Sequence, residues 1–512
     1  MLSKHLCSIA NLVAMVLIGY VFTVIIVKTG HLVSSSFVMS SYAVLYLCFY
    51  RTICRRLKRQ SSNYNLNSTV LFFFQLVGFL VILALQMFYV WCVYSRPGSD
   101  AYVVNHAAFF LANGTIEQEP FFYKEYFSWY TNNVPILQIL FIINKIFKPE
   151  TLDKSWVLLS ILAALFSDLA IVFTYTLTKK AFGDTAALIS IPFLAVQIAM
   201  SESATIFYTD ILSLWTTSAM LYAFFMANED NGRKRWLHLC AGGIAVAFGV
   251  WVKPQIWIIL IAFIIGVFVT ERKYYKPLAI MITSGAILLC GFKYSSSMTL
   301  NSFVGPELVE QNSFPPEHFI YLGLNEETGG VYSEDDVNYT KSIKGRNNKQ
   351  TTLREQIALR LGKRNGLDYL MHLERKANYS VANGAFTYGN AFKGIPLNTR
   401  RIAQNVQYYC ICVNQGWWLF FIPLAQLSYL LLYFSMIYGY LKKSKSKGDL
   451  QKIIIYTSRF SVAGMLLFVF IFEANVRYFY SLLPILIVSA SNEIACIAQE
   501  RFKIKSVKKT KS

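Results

Sequence analysis

Val134-Pro-Ile-Leu-Gln-Ile-Leu-Phe-Ile-Ile-Asn-Lys-Ile-Phe147 is the stretch on which the arrangement of the whole chain turns. A helix of this length reaches about 21 Å, against a hydrocarbon core of about 30 Å. If the stretch crosses a membrane, every later loop changes sides; if it lies flat in the interface, none does. The basic residues that follow decide between the two. Arg233, Lys234 and Arg235, then Arg272, Lys273 and Lys276, then Lys442, Lys443, Lys445 and Lys447, and the tail Arg501 to Ser512 all fall in short loops or at the end. They stay together on the cytoplasmic side only if Val134–Phe147 lies flat, as the bias of lysine and arginine toward that side requires. The expectation is therefore an interfacial helix, with Ser95 to about Lys154 on the extracytoplasmic face.

The flanking sequence leaves no doubt about class. Of 512 residues, 55% are hydrophobic and 15% charged, the composition of an α-helical polytopic membrane protein. Apolar runs at about 9–28, 33–50, 70–94, 155–178, 184–200, 210–228, 237–252, 254–270, 277–295, 416–441, 452–472 and 478–497 give about twelve expected spans. The first run is long enough to stay as a helix and has no small-residue cleavage site behind it. The net charge of +20 encodes orientation, with membrane lipid headgroups as natural contacts; no motif for nucleic acid accompanies it. The nine cysteines mostly lie in or beside apolar runs as small hydrophobes, and the Cys410-Ile-Cys412 pair is a weak metal or redox pattern.

Five segments follow from this topology: an N-terminal helix pair, 1–68; a transmembrane core, 69–295, with a first extracytoplasmic loop at 95–154; an extracytoplasmic insert, 296–415; C-terminal membrane helices, 416–497; and a basic cytoplasmic tail, 498–512. In the insert lysine and arginine nearly balance aspartate and glutamate, as in a small folded cap. Within it, Phe314–Gly330 reads as turns and Thr351–Ala377 as helix.

The unusual polar residues gather on the outer face. Asp100 stands just past the third apolar run, before the amphipathic Ala101–Gly114. Glu202 and Asp210 flank the turn Ser201-Glu-Ser-Ala-Thr-Ile-Phe-Tyr-Thr-Asp210. Lys253 interrupts Trp251-Val-Lys-Pro254, and Glu473 and Arg477 lie in Phe472-Glu-Ala-Asn-Val-Arg-Tyr-Phe479. An ionisable group at membrane depth is costly and marks function unless it has a structural role. Such roles exist for each: Lys253 could snorkel, Asp210 could cap its helix, and Glu473 and Arg477 could be a helical i,i+4 pair. Asp168, mid-helix, reads as an interhelical hydrogen-bond partner, and His106 and His318 as satisfied locally.

On these residues the chain resembles the GT-C superfamily of polyprenyl-phosphate-sugar-dependent glycosyltransferases, which includes protein O-mannosyltransferases and the lipid A aminoarabinose transferase. The likeness runs from about Thr69 onward. It rests on Asp100 in the first outer loop with juxtamembrane helices beside it, Tyr208-Thr-Asp210 at a helix start, and Glu473 to Tyr478 before the last span. Tyr126–Pro135, with Tyr-Thr-Asn-Asn-Val-Pro, and Pro315–Asn325 with Gly329-Gly330 are similar to Gram-positive bacterial members. The helix pair before Thr69 is extra, and the Asp-Glu and His-Pro-Pro of protein mannosyltransferases are missing, so the substrate does not carry over.

The resemblance implies an enzyme of the plasma membrane working on its outer face. A polyprenyl-phosphate-linked sugar is the donor and a glycan or glycolipid the acceptor, with a cell-envelope polysaccharide as the expected kind. Asp100 is the expected catalytic base. Arg477 and Lys253, then Arg96 or Arg401, are the expected ligands of the donor phosphate. Asp210, Glu202, Glu473 and Tyr478 support the acceptor or the site. No metal ligand set is assigned, although a divalent cation is compatible with Asp210. The rival class is a transporter or flippase of an envelope precursor, against which stand the absence of an internal repeat and the collection of polar residues at one face.

Overall fold

The structure, a computed structural model, describes residues 2–32, 68–118, 123–386, 395–410, 421–441 and 448–509. The membrane part opens with α1 (Leu2–Leu32) and α2 (Ser68–Val93). A short strand, β1 (Ser95–Arg96), leads into α3 (Ser99–Asn113), α4 (Tyr123–Trp129) and α5 (Val134–Phe147). Then come α6 (Leu152–Phe182), α7 (Asp184–Leu194), α8 (Thr209–Glu229), α9 (Gly232–Val252), α10 (Ile256–Phe268) and α11 (Tyr275–Phe303). The insert contains α12 (Pro306–Asn312), α13 (Pro316–Gly323), α14 (Glu334–Ser342), α15 (Arg346–Gly362) and α16 (Gly366–Val381). The chain ends through β2 (Ile395–Pro396), α17 (Arg401–Cys410), α18 (Phe421–Leu441), α19 (Asp449–Ile471), α20 (Arg477–Tyr480) and α21 (Leu483–Lys509).

Long apolar runs become helices because nothing outside the segment can satisfy a backbone polar group in hydrocarbon. Among the described residues eight helices have crossing length and apolarity: Ser8–Val27, Gln75–Val93, Leu152–Phe182, Thr209–Glu229, Gly232–Val252, Arg272–Phe303, Pro423–Leu441 and Asp449–Ile471. Asp184–Ala199, Ile256–Phe268 and Leu483–Ile497 are apolar but shorter, and the expected span at 33–50 lies outside the described residues. Eight full-length helices and three short ones thus stand where about twelve spans were expected. The most enclosed is α8, which packs between α6 and α9, with α11 beyond. Small residues allow the closest approach: a Cβ on Gly243 of α9 would lie 2.1 Å from Ser284 Oγ and 2.9 Å from the Gly285 nitrogen of α11. Inside the bundle Gln86 donates to Ser167 Oγ at 2.7 Å. Asp168 is no interhelical bridge on that side, since its Oδ2 is buried without a hydrogen-bond partner among the described residues.

The bundle has two distinct ends. At one, Lys179 meets Gln75 and Asp184, Gln451 donates to the Ala181 carbonyl, and Lys273 pairs with Asp449. Lys179, Lys273 and the start of α19 therefore share an end. At the other end α5 lies across the bundle. Its N-terminal Asn133 accepts a hydrogen bond from Tyr208 at the start of α8, while Asn144 near its C-terminus bonds Ser155 at the start of α6. Lys145 reaches the Ala112 carbonyl of α3, and Gln138 reaches Ser295 and Thr299 near the end of α11. Both ends of α5 are held at one level, as its length demanded.

The insert sits on this same end. Phe314 N donates to the Trp129 carbonyl at 3.2 Å and Asn312 donates to Ser128 Oγ at 3.0 Å. Residues 95–96 and 395–396 pair as an antiparallel two-stranded ladder, Ser95 opposite Pro396 and Arg96 opposite Ile395. Inside the insert, Arg360 forks onto both Asp336 carboxylate oxygens at 2.7 and 2.9 Å and lies 3.6 Å over the Tyr321 ring. Two local expectations need correction. Thr351–Ala377 is two helices, parted at Lys363–Asn365, because Asn365 caps α16 through the Asp368 nitrogen. Phe314–Gly330 is not all turn, because Pro316, at the first helical position, starts α13.

An exposed side chain on α4 tests the sidedness. Lys124→Cys, at an exposed position, is expected to react with a membrane-impermeant maleimide from outside intact cells, read as a mass shift. Labelling only after permeabilisation would reverse the orientation of the chain.

Candidate active site

Asp100 occupies the first turn of α3, directly after Ser99, which is held at φ 57°. That left-handed conformation costs a non-glycine residue energy and persists only where surroundings impose it. Half-buried, Asp100 accepts a hydrogen bond from Tyr126 Oη at 2.7 Å. Asn133 Nδ2 donates to the same phenol oxygen at 2.7 Å, and Tyr208 Oη donates to Asn133 Oδ1 at 3.1 Å. A buried chain Asp100–Tyr126–Asn133–Tyr208 thus joins the starts of α3, α5 and α8. Burial first, and Asp100 next, pushes both phenols well above the ordinary tyrosine range, so both remain donors.

The chain ends at a cationic cluster. Arg477 lies 5.7 Å over the Tyr208 ring. Asp210, buried in the first turn of α8, takes Lys253 Nζ at 2.5 Å and Arg477 Nη1 at 3.7 Å. Lys253 also donates to the Arg477 carbonyl at 3.2 Å. The lysine does not snorkel: its side chain, like that of Asp210, is 5% exposed, because the break between α9 and α10 turns it inward. Nor does Asp210 cap its helix, a position held by Tyr208. Two cations against one carboxylate leave a net positive charge, with the Arg477 side chain still 18% exposed.

Glu473 completes the ring of charge. Residues 472–475 are not helical and α20 starts only at Arg477, so Glu473 and Arg477 are not a helical i,i+4 pair. Removal from water, with Asp100 adding to it, raises the Glu473 carboxyl to about 7 against the opposing pull of Arg477 and Lys376. The loop is fixed by the insert. Buried Lys376 donates to the carbonyls of Gly323, Phe470 and Phe472 at 2.9, 3.2 and 2.7 Å, and Ala474 N donates to the Gly330 carbonyl at 2.7 Å. Gly323 must be glycine here, since a Cβ would lie 2.6 Å from the Phe472 backbone.

Asp100, Asp210, Lys253, Glu473 and Arg477 therefore converge, as their sequence positions suggested. Tyr478 packs edge-on against Phe468, ring centroids 5.3 Å apart. Glu202 lies in the 3-10 turn Glu202–Thr205, its side chain outside the described set. Two expected phosphate ligands are elsewhere. Arg96 pairs with Asp153 at 2.8 Å, drawn there by the β1–β2 ladder and the start of α6. Arg401 stands exposed on α17, which packs on α2, and no hydrogen bond or ion pair joins it to the cluster among the described residues. His106 is met locally by Tyr123, whereas His318 is only half satisfied: its Nδ1 meets Thr340 Oγ1 at 2.9 Å, but its Nε2 is buried without a hydrogen-bond partner among the described residues. Among the described residues no three His, Cys, Asp or Glu come together as a metal-binding group.

Tyr126, Asn133 and Tyr208 were quoted only as members of motifs. Asn133 held the available clue, a side chain of helix-capping type at the N-terminus of α5 that makes no capping bond and reaches across to two tyrosines. Its neighbour Asn132 is exposed, a distinction that composition does not reveal.

A helix bundle with polar chemistry at one end and basic loops at the other is the architecture of a polytopic integral membrane protein. The model of the family described as "conserved hypothetical integral membrane protein" matches residues 8–496, and the chain belongs to that family. No curated protein matches it. Among solved structures it is similar to the archaeal oligosaccharyltransferase AglB from Archaeoglobus fulgidus, solved with an inhibitory peptide and a dolichol-phosphate. That likeness has 13% identity and a TM-score of 0.45, covering 85% of this chain and 52% of the other. ArnT from Cupriavidus metallidurans is similar at 12% identity and a TM-score of 0.32, over 81% of this chain and 78% of its own. The chain spans about half the length of the oligosaccharyltransferase it matches.

Two outcomes follow from this geometry. Lys253→Met strands a buried carboxylate, and removing one partner of such a pair costs about 3–5 kcal/mol, less whatever Arg477 recovers. Unfolding in mixed detergent micelles should show the loss, and Asp210→Asn in the same chain should restore most of it. Glu473 contributes with the opposite sign to an ordinary salt-bridged acid. Its carboxyl is raised in the fold from 4.5 to about 7, so the stabilisation is full below pH 4.5 and is lost as pH rises through 7. Between pH 5 and 8 the wild-type melting temperature should fall by about two degrees more than that of Glu473→Gln.

Proposed function

We propose that the chain is a membrane glycosyltransferase of the GT-C kind. In this reading it moves a sugar from polyprenyl phosphate to a glycan or glycolipid acceptor of the cell envelope on the extracytoplasmic face. The observation that carries it is the continuous link from Asp100, through Tyr126, Asn133 and Tyr208, to the net-positive Asp210–Lys253–Arg477 cluster. A carboxylate and a cationic pocket at one end of a membrane bundle are what transfer from a lipid phosphate needs.

Each residue has a part. An acceptor hydroxyl placed at Asp100 gives up its proton to the carboxylate while its oxygen attacks the anomeric carbon. The bond from that carbon to the phosphate oxygen breaks, and the lipid phosphate leaves with the electron pair. Arg477, with exposed guanidinium surface and a planar donor set suited to phosphate, takes the developing charge. Lys253 and Asp210 hold Arg477 from behind, through its carbonyl and its guanidinium. Tyr126, fixed by Asn133, orients Asp100. Glu473 adds least repulsion to a phosphate when protonated, which its raised titration allows near neutral pH.

The test is direct. In proteoliposomes supplied with polyprenyl-phosphate sugar and envelope acceptor, Asp100→Asn is expected to lower transfer by about 10²–10⁴-fold with insertion unchanged. Envelope glycans of a strain carrying it should lack the same substituent as a deletion strain. Normal turnover by Asp100→Asn would remove the assignment of the base.

A further inference from the structure

Three tyrosines from three separate segments lie near the charged cluster. Tyr130 lies one turn beyond Tyr126, their rings 5.2 Å apart, and meets Phe314 of the insert edge-on at 5.1 Å. Tyr332 follows Gly330 by two residues, and the Gly330 carbonyl holds the Ala474 nitrogen, so the insert delivers Tyr332 beside Glu473. Tyr379 lies three residues after Lys376 on α16, hence on the same helix face, and Lys376 grips the carbonyls of Phe470 and Phe472. The phenols sense the same charges. After burial, Asp100, Tyr332 and Glu473 raise Tyr130; Glu334, Asp100 and Glu473 raise Tyr332; and Glu473 raises Tyr379 against Arg477.

Two of these rings, Tyr332 and Tyr379, are not core. Tyr332 is 53% exposed and Tyr379 46%, and neither stacks on another aromatic ring among the described residues. Large amphipathic rings left in water beside two carboxylates suit a ligand with both an apolar face and many hydroxyls. A sugar ring has both: its C–H face lies on a tyrosine, and its hydroxyls reach the phenols, Glu473 and Asp100. An acyl chain would bury those polar groups unpaired, at a cost. A peptide adding as a strand would find only the two-residue strands β1 and β2 among the described residues.

We propose that Tyr130, Tyr332 and Tyr379 form the acceptor site and that it binds a sugar ring, presenting one of its hydroxyls to Asp100. This rests on the glycosyltransferase reading and names its acceptor class. It gives the insert a part in substrate recognition.

The test uses the full-length chain in nanodiscs and two probes. One is the soluble glycan released from envelopes of cells lacking the gene; the other is polyprenyl phosphate. The glycan should protect Tyr332 and Tyr379 from nitration by tetranitromethane, read by mass spectrometry. Saturation-transfer NMR should show glycan affinity falling about ten-fold or more in Tyr332→Ala/Tyr379→Ala, and within about three-fold of wild type in Tyr332→Phe/Tyr379→Phe. Polyprenyl phosphate should bind the wild type and both variants alike. Polyprenyl phosphate binding without glycan protection, or protection by a peptide fraction of the same envelopes alone, overturns the acceptor site and leaves the enzyme reading intact. Binding of neither probe overturns the reading beneath it.

Discussion

The ion pair between Lys253 and Asp210 is the contact on which the insert-bearing end of the bundle depends. Two opposite charges with side chains 5% exposed have given up their water, and only close geometry with further partners offsets that loss. The Arg477 carbonyl supplies one such partner to Lys253, and its guanidinium supplies another to Asp210. The pair therefore fixes three places at once: the start of α8, the break between α9 and α10, and the entry to the last membrane helix. The tyrosines and Asn133 then extend this fixed point to Asp100. Charge neutralisation in a dry place and the positioning of Asp100 are one structural problem here.

The insert belongs to the same problem. Among the described residues no carboxylate pairs with the Lys376 ammonium, which spends three hydrogen bonds on carbonyls, two of them at the end of α19. That arrangement caps a membrane helix from outside, much as a basic residue complements a helix C-terminus. Burial pulls this lysine down to about 7, so the clamp and Glu473 titrate in the same range. The loop carrying Glu473 and Arg477 is thereby held by a segment far from it in sequence.

Much of this was legible in the sequence because membrane physics leaves few options. Val134–Phe147 was too short to cross and the basic loops disallowed its crossing, and α5 lies across one end with Asn133 and Asn144 tied to the starts of α8 and α6. The convergence of Asp100, Asp210, Lys253 and Arg477 followed from each being costly at membrane depth. What could not be read was pairing. Arg96 looked equivalent to Arg477 by position, yet a two-residue ladder turns it to Asp153. Asn132 and Asn133 differ only in which of them meets the tyrosines. Glu473 and Arg477 had helical spacing but no helix, because the insert's clamp ends α19 at Ile471. Pairing is a property of three-dimensional contacts, and no local pattern encodes it.

The three-carbonyl grip of Lys376 also sets an order of events during synthesis. Asp100 is made early, and Arg477 and the loop that bears it are nearly the last part of the chain to emerge. The insert, which carries Gly323 and Lys376, precedes that loop in the chain and is there to receive it as it arrives. A chain interrupted before the final helices would have the carboxylate and the docking lysine but no guanidinium.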